Sequence, residues 1–85
     1  MLSRHLAREM GPHGVRINCL SPSAVDTGWL EKLPEEQRDR MISGFPLGRI
    51  GEPDDAAQAA AFLLSDAAAW ITGVTLDIAG GRIMV

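Results

Sequence analysis

Leu2, Leu6, Ala7 and Met10 recur at three- and four-residue spacing, with Arg4, Arg8 and Glu9 on the other faces. That pattern predicts the last two or three turns of an amphipathic helix. Gly11-Pro12 stops it, and His13-Gly14 makes the turn that follows. Val15 to Leu20 is then almost continuously apolar, broken by Arg16 and Asn18. This predicts a strand buried on both faces of a parallel sheet. Pro22 is expected to end it, since proline donates nothing to a ladder.

Residues 23 to 33 read as an irregular segment carrying Trp29 and Leu30. Pro34 is placed just inside a polar helix, PEEQRDRMISG, with acids first and arginines later, as the helix dipole prefers. Gly44 closes it. A loop dense in glycine and proline, FPLGRIGEPDD, leads to the next helix, capped by Glu52 or Asp54, with Pro53 in its first turn. That helix, Asp54 to Leu64, is apolar nearly all round apart from Gln58, which predicts burial on more than one side. After AAWITG comes a second strand, Val74 to Ile78.

The order helix, strand, helix, helix, strand reads as α/β, with two parallel strands joined by a helical crossover. Two such strands, apolar on both faces, do not complete a sheet. The chain is therefore read as a single partial domain over residues 1–85, to be completed by a second copy or another chain.

Composition narrows the function. The 85 residues hold one small domain, of a size that buries about 60–65% of its unfolded surface. The formal charge is −3, and the basic residues Arg4, His5, Arg8, Arg38 and Arg40 are interleaved with acids or apolar residues, which argues against nucleic acid. No run approaches the roughly 18 apolar residues of a membrane span, and the N-terminal MLSRHLAREM has no signal-peptide core. The expected location is cytoplasmic. Cys19, the single cysteine, is expected to be a buried small hydrophobe. His5 and His13 have no metal-ligand spacing.

The residues LARE-GPHGVRIN-L-P--VDT, followed by P-GRIGEP-D-A-A-AFL-SD-A-WITG--L-I-GG, resemble the C-terminal part of the short-chain dehydrogenase/reductase family, from Leu2 to about Met84. The resemblance implies a C-terminal fragment of a Rossmann-like, doubly wound parallel sheet that binds NAD or NADP at the carboxyl ends of its strands. It makes Val15–Leu20 the sixth strand, Val74–Ile78 the seventh, and residues 24–52 the substrate-lobe segment. It also implies hydride transfer between the nicotinamide cofactor and a small-molecule carbonyl or alcohol.

Other parts of the family pattern have no counterpart in this sequence. There is no TGxxxGxG turn, no tyrosine for the YxxxK pair, and the one lysine, Lys32, does not match that motif. No catalytic residue is therefore assigned. Met1 falls about where an internal methionine of a full-length member would stand, so the chain is expected to be a truncation, a product of internal initiation or a dissected piece. The sequence does not discriminate NAD from NADP, nor does it name the substrate.

What the resemblance carries over is the segment after the sixth strand. Pro22 and Ser23 would flank the nicotinamide ring. The Val25 backbone would hydrogen-bond the carboxamide, and the Thr27 hydroxyl would reach the carboxamide or pyrophosphate. Ser23 stands where the family usually has glycine, and a positive φ there would disfavour serine. Alternatively, Pro22 to Thr27 is only a strand-to-loop turn. Asn18 is expected to satisfy neighbouring backbone groups, Arg49 to bridge loops, and Trp70 to be structural. Trp29, Leu30, Met41 and Phe45 line either a substrate pocket or the packed lobe. Two functions follow: an oxidoreductase fragment, or a non-catalytic, self-associating interaction module.

Overall fold

The computed structural model describes residues 2–82. Met1 and the Met84 end of the resemblance lie outside the described residues. Helix α1 spans Leu2–Met10 and stops at Gly11, as the sequence predicts. A short 3-10 turn, Gly11–His13, follows and closes on Gly14 at φ 75°, whose amide donates to the Gly11 carbonyl at 2.9 Å. A left-handed residue at that point is what glycine permits without a Cβ penalty. Ala7 is the buried residue of α1 and faces Gly73, where an added Cβ would lie 3.4 Å from the Ala7 Cβ.

Strand β1 is Cys19–Pro22 and strand β2 is Thr75–Ile78, paired in parallel from Cys19 opposite Thr75 to Pro22 opposite Ile78. The first strand therefore begins four residues later than the hydrophobic run and continues through the proline. Before Cys19 the Gly73 amide still donates to the Ile17 carbonyl at 2.7 Å, and side chains make the other bonds. Asn18 Nδ2 donates to the Ile71 carbonyl at 3.1 Å, the Val74 amide donates to Asn18 Oδ1 at 3.2 Å, and the Ile17 amide donates to the Thr72 hydroxyl at 3.0 Å. Pro22 is tolerated because the amides of Cys19 and Ser23 donate toward β2, at 2.9 and 3.0 Å. By alternation, the position of Pro22's missing N–H lies on the other edge.

Helix α2 spans Glu35–Ser43, with Pro34 one place ahead of it rather than in its first turn. Helix α3 spans Pro53–Leu64, with Glu52 as the N-cap and Pro53 at the first position. The Asp55 carboxylate accepts the Glu52 amide at 2.7 Å, satisfying a donor that the helix start leaves free.

Arg16 ties the end of α3 to the strand. Its guanidinium donates to the carbonyls of Leu63, Ala68, Ser65 and Ile71 at 2.7, 2.9, 3.3 and 3.4 Å. Leu63 belongs to the last turn of α3, Ser65 to the junction after it, Ala68 to the 3-10 turn Asp66–Ala68, and Ile71 lies three residues further on. What looks in the sequence like a polar interruption of a strand is the cap of a helix end.

The buried hydrophobic residues are Ala7, Phe45, Ile50, Leu63 and Ala68. Two expectations of burial, and one of a structural side chain, fail in the described chain. Cys19 is exposed. Trp70 is 100% exposed, so it packs against nothing described. Helix α3 buries only Leu63 and leaves Leu64 83% exposed. The strands too are half-buried or exposed along their length. The reason is shared: among the described residues α3 is the helix packed closely against both strands, and it covers only part of their surface. Exposed area totals 6357 Å², against about 4,900 Å² for a compact protein of this mass. Among the described residues no helix is long and apolar enough to cross a membrane.

Candidate functional site

At the carboxyl end of β1 the chain leaves the sheet without losing its backbone order. The Ser23 amide still donates to the Ile78 carbonyl at 3.0 Å. Ser23 has no positive φ, since among the described residues only glycines do, so serine fits this position without backbone strain.

Val25 then forms a parallel bridge with Gly51. The Gly51 amide donates to the Ala24 carbonyl at 3.0 Å, and the Asp26 amide donates to the Gly51 carbonyl at 2.7 Å. In a parallel ladder this pattern uses the groups on either side of Val25 and turns Val25's own N–H and C=O to the opposite side. One residue thus presents a donor and an acceptor together, fixed by its neighbours. That is the pairing a primary carboxamide requires. The Val25 amide has no partner among the described residues. The Val25 carbonyl accepts the Trp29 indole N–H at 2.8 Å.

The turn that brings Trp29 back is built by Asp26. Its Oδ1 accepts the Gly28 amide at 2.9 Å and the Leu30 amide at 3.4 Å, with Gly28 at φ 108°. This is an Asx turn running into a 3-10 turn, Leu30–Lys32. Thr27 lies at its exposed tip and Pro22 is exposed at the strand end. Pro22, Ser23, Val25 and Thr27 therefore follow one another along a single ledge. Among them, Val25 is the one whose neighbours on both sides bond to the same residue, Gly51.

Behind the ledge lies a cavity of about 190 Å³, lined among others by Val25, Phe45, Arg49, Gly51, Ile78 and Gly80. Phe45, 3% exposed, is its main apolar wall. Met41 instead faces a shallow groove on α2, with Arg40 and Arg82, so the four apolar lobe residues do not line one pocket. Arg49 bridges loops as expected: it donates to the Ile50 carbonyl at 3.2 Å and to both Asp55 oxygens at 2.7 and 3.0 Å. The Arg49 guanidinium, followed by the Glu52 amide, lowers the Asp55 pKa to about 2.

The support of the ledge was not foreseen residue by residue. Gly51 sits so close that an added Cβ would lie 3.0 Å from the Ala24 carbonyl oxygen. The only sequence signal for it was a glycine between Ile50 and the Glu52-Pro53 helix start, in a loop already rich in glycine.

Residues 1–82 match the family model described as Enoyl-(Acyl carrier protein) reductase. The chain is 40% identical over 82 residues to the 3-oxoacyl-[acyl-carrier-protein] reductase FabG of Pseudomonas aeruginosa, covering 96% of this chain and 33% of that protein. It is 39% identical over 83 residues to the (3R)-3-hydroxyacyl-CoA dehydrogenase of Mus musculus, covering 98% of this chain and 32% of that one. A crystal structure of 3-oxoacyl-[acyl-carrier protein] reductase from Brucella melitensis superposes with a TM-score of 0.89 at 32% identity, over 99% of this chain and 31% of that chain. A hydroxysteroid dehydrogenase from Escherichia coli superposes at 0.85 with 36% identity, over 98% of this chain and 35% of that one. The chain thus spans about a third of the length of the relatives it matches.

Proposed function

The chain belongs to the short-chain dehydrogenase/reductase family, and we propose that it supplies the nicotinamide-facing ledge and substrate lobe of an NAD- or NADP-dependent oxidoreductase. Its two parallel strands correspond to part of a Rossmann-like sheet. The observation that carries the proposal is Val25, whose N–H and C=O are turned outward together by the Gly51 bridge at the carboxyl end of a parallel strand. The residues fit the nicotinamide end of the cofactor, while the glycine-rich phosphate turn TGxxxGxG has no counterpart in the sequence.

When bound, the cofactor supplies hydride chemistry at its nicotinamide ring. In this reading, Val25 orients the carboxamide and so selects the ring face, while Pro22 and Ser23 flank the ring. Thr27, at the exposed tip, offers a hydroxyl to the carboxamide or pyrophosphate. Phe45 and the lobe segment 24–52 exclude water from the substrate side. The relatives' names span acyl thioesters and a hydroxysteroid, so the substrate is a carbonyl or alcohol of no narrower class. The acid–base group must come from outside these 85 residues, because the sequence has no tyrosine and its lone lysine, Lys32, lies in a surface turn. Losing acid–base catalysis and positioning each removes orders of magnitude in rate, so the chain acts within a larger assembly.

A second reading, a self-associating module without catalysis, draws on the exposed Leu64 and Trp70 and the excess of exposed area. Sedimentation equilibrium with and without millimolar NADH and NADPH separates the two. Cofactor travelling with a defined oligomer supports the oxidoreductase reading. An oligomer that carries no cofactor replaces it with the second.

A further inference from the structure

The Val25 carbonyl is one half of the carboxamide ledge, and it is already engaged. The Trp29 indole N–H donates to it at 2.8 Å, a full-strength hydrogen bond. The other half, the Val25 amide, has no partner among the described residues. The ledge is thus half satisfied from within the chain, and by a side chain rather than by backbone.

Trp29 is held there by local geometry. Asp26 Oδ1 accepts the amides on either side of it, Gly28 and Leu30, and Gly28 takes φ 108°. Trp29 is also the residue on which the 3-10 turn Leu30–Lys32 begins, with α2 following from Glu35. The indole bond therefore connects the ledge to the entrance of the lobe segment. The ring is half-buried, not locked in a core, so it has room to leave.

We propose that Trp29 is a stand-in donor. On binding of a nicotinamide carboxamide, the Val25 carbonyl exchanges the indole N–H for the carboxamide N–H₂, and the freed Trp29 releases the lobe entrance at Leu30–Lys32. The inference rests on the nicotinamide reading of the ledge and adds the side chain that holds its carbonyl until the carboxamide arrives.

The test uses the whole 85-residue chain labelled with ¹⁵N, with NADH and nicotinamide mononucleotide as probes, each at millimolar concentration. The two indole signals are assigned with a Trp70→Phe variant. Trp29 should start with a protected, downfield indole proton. The expected result is that the probes shift the amides of Val25 to Thr27 while Trp29 indole exchange accelerates at least tenfold and the Trp70 indole stays unchanged. Amide shifts at Val25 to Thr27 with the Trp29 indole still protected would overturn the donor exchange and leave the ledge reading intact. No shift anywhere from Ser23 to Thr27 would overturn the ledge reading, and the donor exchange with it.

Discussion

Arg49 and Asp55 form a two-point ion pair, with guanidinium nitrogens at 2.7 and 3.0 Å from the two carboxylate oxygens. The same carboxylate takes the Glu52 amide at 2.7 Å. One side chain thus caps α3 and anchors the loop whose Gly51 holds Val25 in place.

Acid should loosen this joint as the pH falls below the ordinary carboxylate range. Asp55 is lowered from 3.8 to about 2, chiefly by Arg49 and then by the Glu52 amide. A carboxylate with a depressed folded pKa contributes stability that is fully present above its unfolded value and lost as pH falls through the folded one. The contribution should therefore fade between about pH 4 and pH 2. Carboxyl chemical shifts in a pH titration give the Asp55 midpoint directly. In Asp55→Asn the Glu52 amide should lose its acid-dependent protection, and a wild-type midpoint near the ordinary carboxylate value would contradict the pairing.

Gly51→Ala should disturb the ledge out of proportion to the single methyl added. Its Cβ would lie 3.0 Å from the Ala24 carbonyl oxygen, a backbone atom that cannot swing aside. Overpacking of this kind costs about 1–3 kcal/mol. Hydrogen exchange at the Asp26 amide, which donates to Gly51, should accelerate accordingly. Gly11→Ala, which meets nothing within 4 Å, is the control and should leave that amide as slow as before.

Arg16→Ala should be the most damaging substitution of a charged residue. It strips donors from four carbonyls at the end of α3 and just beyond it. Hydrogen bonds to a charged group contribute about 1.5–3 kcal/mol, and the abandoned acceptors add to the loss. Urea unfolding at one fixed protein concentration measures it, since association shifts apparent stability. Arg16→Lys should recover only part, because a point charge cannot span the fork.

In the self-associating reading, Trp70→Ser should weaken association while leaving the secondary structure as it is. Trp70 is wholly exposed, and exposed tryptophans are frequent anchors of interfaces. A rise of at least about tenfold in the dissociation constant, or about 1.4 kcal/mol, is expected in sedimentation equilibrium. An unchanged constant with an intact circular dichroism spectrum would remove Trp70 from the interface.

The local stops and starts were readable from neighbouring residues alone. Gly11-Pro12 ends α1 and Glu52-Pro53 opens α3, because a missing amide, a fixed φ and a cap are properties of one or two residues. Arg49 as a loop bridge and Asn18 as a partner for backbone were also readable, since each is a polar residue in an apolar stretch with few other roles. The start of β1 was not readable. Val15–Asn18 has the composition of a strand, yet whether it pairs depends on Ile71 to Val74, more than fifty residues away. Burial was misjudged at Cys19 and along α3 for the same reason. An apolar side chain asks for cover, and only the tertiary arrangement says whether cover is there.

By itself, then, the sequence determined the α/β class, the order of elements, the family and the ledge segment from Pro22 to Thr27, because periodicity, punctuation and motif order are written along the chain. The tertiary structure alone decided which atoms of that segment face outward. A bridge to Gly51 turns the Val25 amide and carbonyl to one side, and an Asx turn brings Trp29 back onto that carbonyl. Both depend on contacts closed by folding, with a reach of twenty-six residues in one case and four in the other, and neither leaves a periodicity to read.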